Sequence, residues 1–254
     1  MDGSVEQALQ GFAHTPPRRH HFGPSKIDQP DYAAKIEYVK NDTTRPLGKK
    51  EITYLQRVVG KFLYYARAID NTMLHTLNDI TTATSKGTEA TFAAVEYFLN
   101  YTASNPDDRI QYIASKMILQ TVSDAAFLVC PKARSRLGGY HFTGNKDRKL
   151  FNGPLLVLTK IIKNMMGSAA ESEVGVLYMN AQADTPIRTR LIEMGHQQPA
   201  TPLTTDNNTA EGILTGTIKH KRSKAIDMRF YWLKDRVESP GLFLPYCTLR
   251  TRQE

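Results

Sequence analysis

Along the first half of the chain, apolar residues return every three or four positions. Leu55, Val58, Val59, Phe62, Leu63 and Ala66 make one such face, and Phe92, Val95, Phe98 and Leu99 make a second after Gly87. That period belongs to amphipathic helices, so residues 49–104 are predicted helical. The face of residues 55–66 is apolar enough to demand a covering partner. Ser104-Asn-Pro-Asp-Asp108 ends the run with turn residues. Asp107 and Asp108 look like a metal-binding pair, but a turn after a proline uses such residues to stop a helix. Residues 13–48 show no period. Pro16, Pro17, Arg18, Arg19, His20 and His21 cannot form a helix interior, and this stretch is predicted to be an extended loop or linker.

Past Ile110 the pattern changes to short strands followed by helices. Met117 to Val129 is apolar and interrupted by Ser123-Asp124. Leu137 to Thr143 carries Gly138-Gly139 beside Tyr140 and Phe142. Asn152-Gly153 signals a tight turn, and Pro154 to Ile162 follows as a strand. Ser168 to Met194 is predicted helical, with a break near Pro186. Thr201 to Thr205 is a short strand, and residues 207–216 and 222–238 are two further helices. Strands first and helices after imply a mixed sheet covered by helices.

Composition narrows the class. A chain of 254 residues with 41% hydrophobic residues can bury a real core, which excludes collagen-like and wholly disordered chains. No apolar run approaches a membrane span, so a soluble protein is expected. The first residues lack the basic start and apolar stretch of a signal peptide. Two distant cysteines, Cys130 and Cys247, make neither a CxxC pair nor a zinc spacing, which fits a reducing cytoplasm or nucleus. The net charge of +8 suits a polyanionic partner, although many soluble domains are basic. Much of it is concentrated in residues 218–237, where seven Lys or Arg face two Asp around Phe230, Tyr231 and Trp232. Lys219, Lys221, Arg222 and Lys224 could grip phosphates, or could simply form the solvated face of a helix with a buried aromatic side.

Three acids stand out by position. Asp124 lies within an apolar strand, where an ionised group is costly unless something holds it. Asp206 ends a strand and opens a helix, a place where acids face ligands or merely cap. The third is Glu171 or Glu173, and helical spacing does not separate them because both flank the face of Ala170, Val174, Leu177 and Ala181. Capping does separate them. Ser168 and Glu171 have the S-x-x-E spacing, which gives Glu171 a structural job and leaves Glu173 as the chemical candidate. Taken singly, each acid also has a structural explanation. Taken together, three carboxylates could hold two divalent cations and drive in-line phosphodiester cleavage. Hard ions such as Mg2+ take carboxylates and water, in keeping with the sparse His and Cys.

Six stretches in order carry a family likeness: Val58-Val-Gly-Lys-Phe-Leu-Tyr-Tyr-Ala-Arg67, Ser123-Asp-Ala-Ala126, Arg134-Ser-Arg-Leu-Gly-Gly-Tyr140, Ser168-Ala-Ala-Glu-Ser-Glu173, Thr205-Asp-Asn-Asn-Thr-Ala210 and Lys224-Ala-Ile-Asp-Met-Arg-Phe230. Over roughly residues 1–238 the sequence resembles the C-terminal part of a copia-type retrotransposon polyprotein. That part comprises the end of the reverse transcriptase and its ribonuclease H domain. The resemblance implies an α/β, ribonuclease H-like mixed sheet flanked by helices, preceded by a mainly helical thumb or connection remnant. It assigns residues 1–110, with their Pro/His/Arg-rich linker, to the remnant and 111–238 to the ribonuclease H-like domain, leaving 239–254 as a divergent tail. It implies that Asp124, Glu173 and Asp206 are the catalytic metal ligands, holding Mg2+ or Mn2+ for cleavage of an RNA–DNA hybrid. Lys219, Lys221, Arg222, Lys224 and Arg229 would contact the nucleic acid, and the remaining polymerase domain of an intact element would be a partner. Asp227 matches a characteristic family position, but its segment reads as basic helix away from the sheet ends.

Two departures bear on activity. The polymerase part has no upstream palm and no Tyr-x-Asp-Asp hairpin, so DNA synthesis by this chain is not expected. The family continues into a last strand and a final Ala-Asp segment whose Asp completes the metal site, whereas residues 239–254 contain no Asp. A frameshift or mis-joined gene end would produce such a tail. With three of four ligands, the second metal would bind weakly and cleavage would be weakened or lost. An inactive nucleic-acid-binding remnant is the alternative.

Overall fold

A computed structural model of the chain describes residues 3–26, 42–130, 132–147, 151–163, 166–218, 227–238 and 243–247, excluding the side chains of Asp227 and of residues 244–247. The chain divides into two compact units, Met1–Ile110 and Gln111–Glu254.

The first unit is helical: α1 (Ser4–Gly11), α2 (Lys49–Ala68), α3 (Leu74–Ala83) and α4 (Glu89–Ser104). Leu55, Val58, Phe62 and Ala66 of α2 are buried with Met73, Leu77, Val95, Phe98 and Leu99. Phe62 meets Phe98 edge-on at 5.3 Å. The apolar face of α2 therefore finds its cover inside the unit, against α3 and α4, and does not stand bare as its pattern suggested. α1, too short to show a clear period, buries Val5, Ala8 and Leu9. In the turn after α4, Asp108 accepts a hydrogen bond from Tyr101 Oη at 3.3 Å. Residues 13–26 contain no helix or strand, and 27–41 of the linker stretch lie outside the described residues.

The second unit is built on five strands: β1 (Ile118–Cys130), β2 (Arg134–Gly144), β3 (Pro154–Ile161), β4 (Thr201–Thr205) and β5 (Phe243–Cys247). Their order is β3-β2-β1-β4-β5. β1, β2 and β3 follow one another antiparallel, while β4 pairs parallel to β1 and β5 parallel to β4. Parallel neighbours need crossovers, and the helices supply them. These are α5 (Ala169–Glu193), α6 (Asn208–Leu214) and α7 (Asp227–Glu238). One core cluster joins Val174, Leu177 and Ala181 of α5 to Leu203, Leu214, Leu233 and Phe243. Another joins Val176 of α5 to Leu137 and Ile162. The result is an α/β unit with its longest helix across the central strands.

Three expectations change. α5 is not broken at Pro186. Proline there removes one backbone donor, but the helix runs on because Arg188 and Leu191 beyond it are buried. Asn152-Gly153 is not an open tight turn: the buried Asn152 side chain bridges Ile113 and Thr143. Residues 243–247 are not a tail outside the domain. They form edge strand β5, where Pro245 is tolerated and Phe243 is buried in the core. Of the predicted helix 222–238, the part before Asp227 lies outside the described residues. No helix among the described residues is long and apolar enough to cross a membrane.

Candidate metal centre

β1 is the central strand, and it outlasts its neighbour. Thr121 pairs with Leu203 and Val122 with Thr204. Continuing that register sets residue 124 level with 206, just where β4 has ended. Asp124 is still within β1, which runs on to Cys130, but it is exposed where β4 no longer flanks the strand. The desolvation cost expected from its sequence setting therefore does not arise. Opposite it on β2 stands Gly138, which carries no side chain to crowd the position.

Asp206 follows directly after β4. The cap of α6 is its neighbour Asn207, whose Oδ1 accepts from the Ala210 amide at 3.0 Å. Asp206 is thus relieved of the capping role that its position suggested. A parallel division of labour occurs at α5. Ser168 Oγ accepts from the Glu171 amide at 3.1 Å, and Glu171 returns to accept from the Gly167 amide at 2.8 Å. Glu173, half a turn further, points inward. Its Oε1 accepts from the Ala125 amide at 3.2 Å, and its Oε2 from Thr205 Oγ1 at 3.4 Å. Both donors lie where β1 and β4 part.

The outcome is a cluster of Asp124, Glu173 and Asp206 in which one carboxylate oxygen from each lies within 4.8 Å of the others. Glu173 is only 5% exposed. Burial, then the neighbouring charge of Asp124, and to a lesser degree that of Asp206, push its carboxyl up to about 7. Like charges this close cannot all be ionised cheaply without a counter-charge. An all-oxygen, three-carboxylate donor set fits a hard divalent cation such as Mg2+ or Mn2+.

Lys219, Lys221, Arg222 and Lys224 lie outside the described residues. Arg229 is on α7, half-buried. The aromatic residues of that segment divide: Phe230 is buried, Trp232 packs edge-on against Tyr178 at 5.2 Å, and Tyr231 is exposed.

A polar layer that the sequence reading missed lies beneath the cluster. Asn180 Nδ2 donates to Ser123 Oγ at 2.9 Å and to the Gly138 carbonyl at 3.1 Å, gripping both residues that frame Asp124. Further along α5, Asp184 accepts from Thr121 Oγ1 at 2.8 Å and from His141 Nδ1 at 2.7 Å, all fully buried. At the end of α5, Arg188 donates to the carbonyls of Gln198 and Pro199 and to Thr201 Oγ1, anchoring the entry to β4. Burial holds the Arg188 guanidinium below its usual range. A polar residue every third or fourth position on an otherwise apolar helix face was the available signal.

No family model and no curated protein matches the chain. Among solved structures, it is similar to LC11-RNase H1 isolated from compost by a metagenomic approach, with 13% identity over 52% of this chain and 85% of that one, and a TM-score of 0.40. The same enzyme in complex with an RNA/DNA hybrid aligns at 10% identity over 52% and 86%, with a TM-score of 0.39. A foamy viral protease–reverse transcriptase in complex with dsDNA aligns at 14% identity over 83% of this chain and 40% of that one, with a TM-score of 0.47. The second unit is α/β, a mixed sheet ordered β3-β2-β1-β4-β5 and flanked by helices.

Proposed function

We propose that the second unit is a ribonuclease H-type nuclease domain of a copia-type retrotransposon polyprotein, acting on the RNA strand of an RNA–DNA hybrid with reduced efficiency. The observation that carries this reading is the cluster of three carboxylates at the split between two parallel strands, one of them held near a pKa of 7. Asp124, Glu173 and Asp206 would hold the cations. Divalent cations bound there supply the Lewis acidity and charge neutralisation that in-line phosphodiester hydrolysis needs. The Ala125 amide and Thr205 hydroxyl hold Glu173 in its rotamer, and Asn180 holds the strand pair beneath Asp124. Because the Glu173 carboxyl is pushed up to about 7, binding a cation would release its proton. Lys219, Lys221, Arg222, Lys224 and Arg229 would lie along the hybrid backbone.

A second reading, an inactive nucleic-acid-binding remnant, is favoured by one feature: among the described residues no fourth acid joins the cluster. A labelled RNA–DNA hybrid with Mg2+ or Mn2+ separates the two. Metal-dependent cutting that Asp124→Asn abolishes supports the nuclease. Salt-sensitive hybrid binding with no cutting supports the remnant.

A further inference from the structure

A second surface on the same unit includes none of the three carboxylates. Residues 111–163 hold nine Lys or Arg against two Asp, and of these Lys116 and Lys146 are exposed at the end of the sheet where β1 and β3 begin. One end of this basic region carries exposed aromatic rings. Phe151 is 64% exposed and Tyr112 59%, with Ile113 and Leu155 exposed as well. Contiguous apolar groups at a surface mark an interaction site more often than chance.

The cluster is built rather than loose. Phe151 stacks on Tyr140, ring centres 4.7 Å apart and planes 14° from parallel, and meets Phe142 at 5.0 Å. Buried Asn152 donates to the Ile113 and Thr143 carbonyls at 2.7 and 3.0 Å and accepts from the Ile113 amide at 2.7 Å. Tyr140 Oη donates to the Asn152 carbonyl at 2.9 Å, and Tyr112 Oη to the Pro154 carbonyl at 3.0 Å. Both hydroxyls are thereby spent on the backbone, while Phe151 and Tyr112 keep ring surface in solvent. The Lys116 amide donates to Asn145 Oδ1 at 3.0 Å, which brings exposed Lys116 beside exposed Lys146 at the same end of the sheet. Tyr140 shares a sheet face with Asp124. Asp124 pairs with Gly138, and Tyr140 is two residues further along β2, about 7 Å.

Rings offer faces on which any base can stack, and a cationic border holds the phosphates between bases. Exposed Asp147 stands beside Lys146, so the cationic border consists of Lys116 and Lys146. We propose that Phe151 and Tyr112, bordered by Lys116 and Lys146, form a stacking platform for unpaired, single-stranded nucleic acid beside the carboxylate cluster. The platform needs no metal, so it stands or falls apart from the nuclease reading.

The test uses the full chain, EDTA throughout, and short fluorescein-labelled oligothymidylate and oligouridylate followed by anisotropy. Phe151→Ala should weaken binding roughly tenfold, and adding Tyr112→Ala should weaken it further. Neutralising Lys116 and Lys146 to Gln should flatten the dependence of log affinity on log salt by about one. Phe151→Trp should keep the affinity, and its added fluorescence should be quenched by the oligonucleotide beyond any signal from Trp232. Phe151→Ala binding within twofold of the parent, with no quenching in Phe151→Trp, would overturn the proposal. So would a Phe151→Ala change that alters only self-association in sedimentation, which would make the patch a protein interface.

Discussion

Two buried carboxylates on α5, Glu173 and Asp184, lie three turns apart and both face β1, yet they live in opposite circumstances. Asp184 is fully buried, and each of its demands is met: Thr121 and His141 both reach it within 2.8 Å. Glu173 has an amide, a long hydroxyl contact and two other carboxylates within 4.8 Å. A satisfied buried acid is a structural fastener, because removing it strands its partners. A buried acid crowded by like charges is unstable when ionised unless it keeps its proton or a cation neutralises the cluster. The same helix carries both because its far end is covered by the sheet centre, while its near end meets the gap where β4 stops.

The sharpest way to break this contrast is to neutralise each acid and measure both cleavage and stability. If the unit cleaves hybrids as proposed, Glu173→Gln should remove several kcal/mol of transition-state stabilisation, about a thousandfold in cleavage, while leaving the fold as stable or more so. Asp184→Ala should do the reverse. It should cost about 3–5 kcal/mol in urea unfolding, because His141 and Thr121 lose their buried partner, with cleavage per folded molecule changed less than about tenfold.

The second comparison is by pH. The Glu173 carboxyl is raised to about 7 from an ordinary 4.5. Between those values the folded chain holds a proton that the unfolded chain has lost, so metal-free stability falls as pH rises through this window. The whole effect is at most on the order of 3 kcal/mol and is fully expressed above pH 7. Unfolding midpoints between pH 4.5 and 8 should show the fall, and Glu173→Gln should flatten it. A smaller effect is expected at Gly139. A Cβ there would lie 2.1 Å from Asn180 Oδ1, so Gly139→Ala should displace Asn180 and cost about 1–3 kcal/mol in thermal or urea unfolding. The smallest belongs to Glu171, the other acid of the α5 start. Glu171→Ala should lose under about 1 kcal/mol and leave cleavage unchanged. A large activity loss there would mean that the two glutamates had been assigned the wrong way round.

Much of the second unit was legible because its signals are local. Apolar runs marked β1, β2 and β3, and the Ser168–Glu171 spacing separated the capping glutamate from its neighbour two residues on. What was not legible depends on partners far away in sequence. Asp124 looked buried because its strand is apolar. Only the early end of β4, some eighty residues later, exposes it. Phe243 gave no strand signal in a stretch broken by Pro240, Gly241 and Pro245, since a five-residue edge strand is fixed by pairing with β4. The polar residues Thr121, His141, Asn180 and Asp184 look unremarkable singly and acquire meaning only when α5 lies across β1 and β2. The helix α1 was too short for periodicity to register.

On the proposed reading, Asp124, Glu173 and Asp206 together bind a divalent cation. Titrating the full chain with Mn2+ at pH 8, with free Mn2+ followed by its electron paramagnetic resonance signal, tests it most directly. Saturable binding that Mg2+ competes away, and that Asp124→Asn weakens by about tenfold or more, is the predicted result. Binding of equal strength in Asp124→Asn, or none in the parent chain, would contradict it.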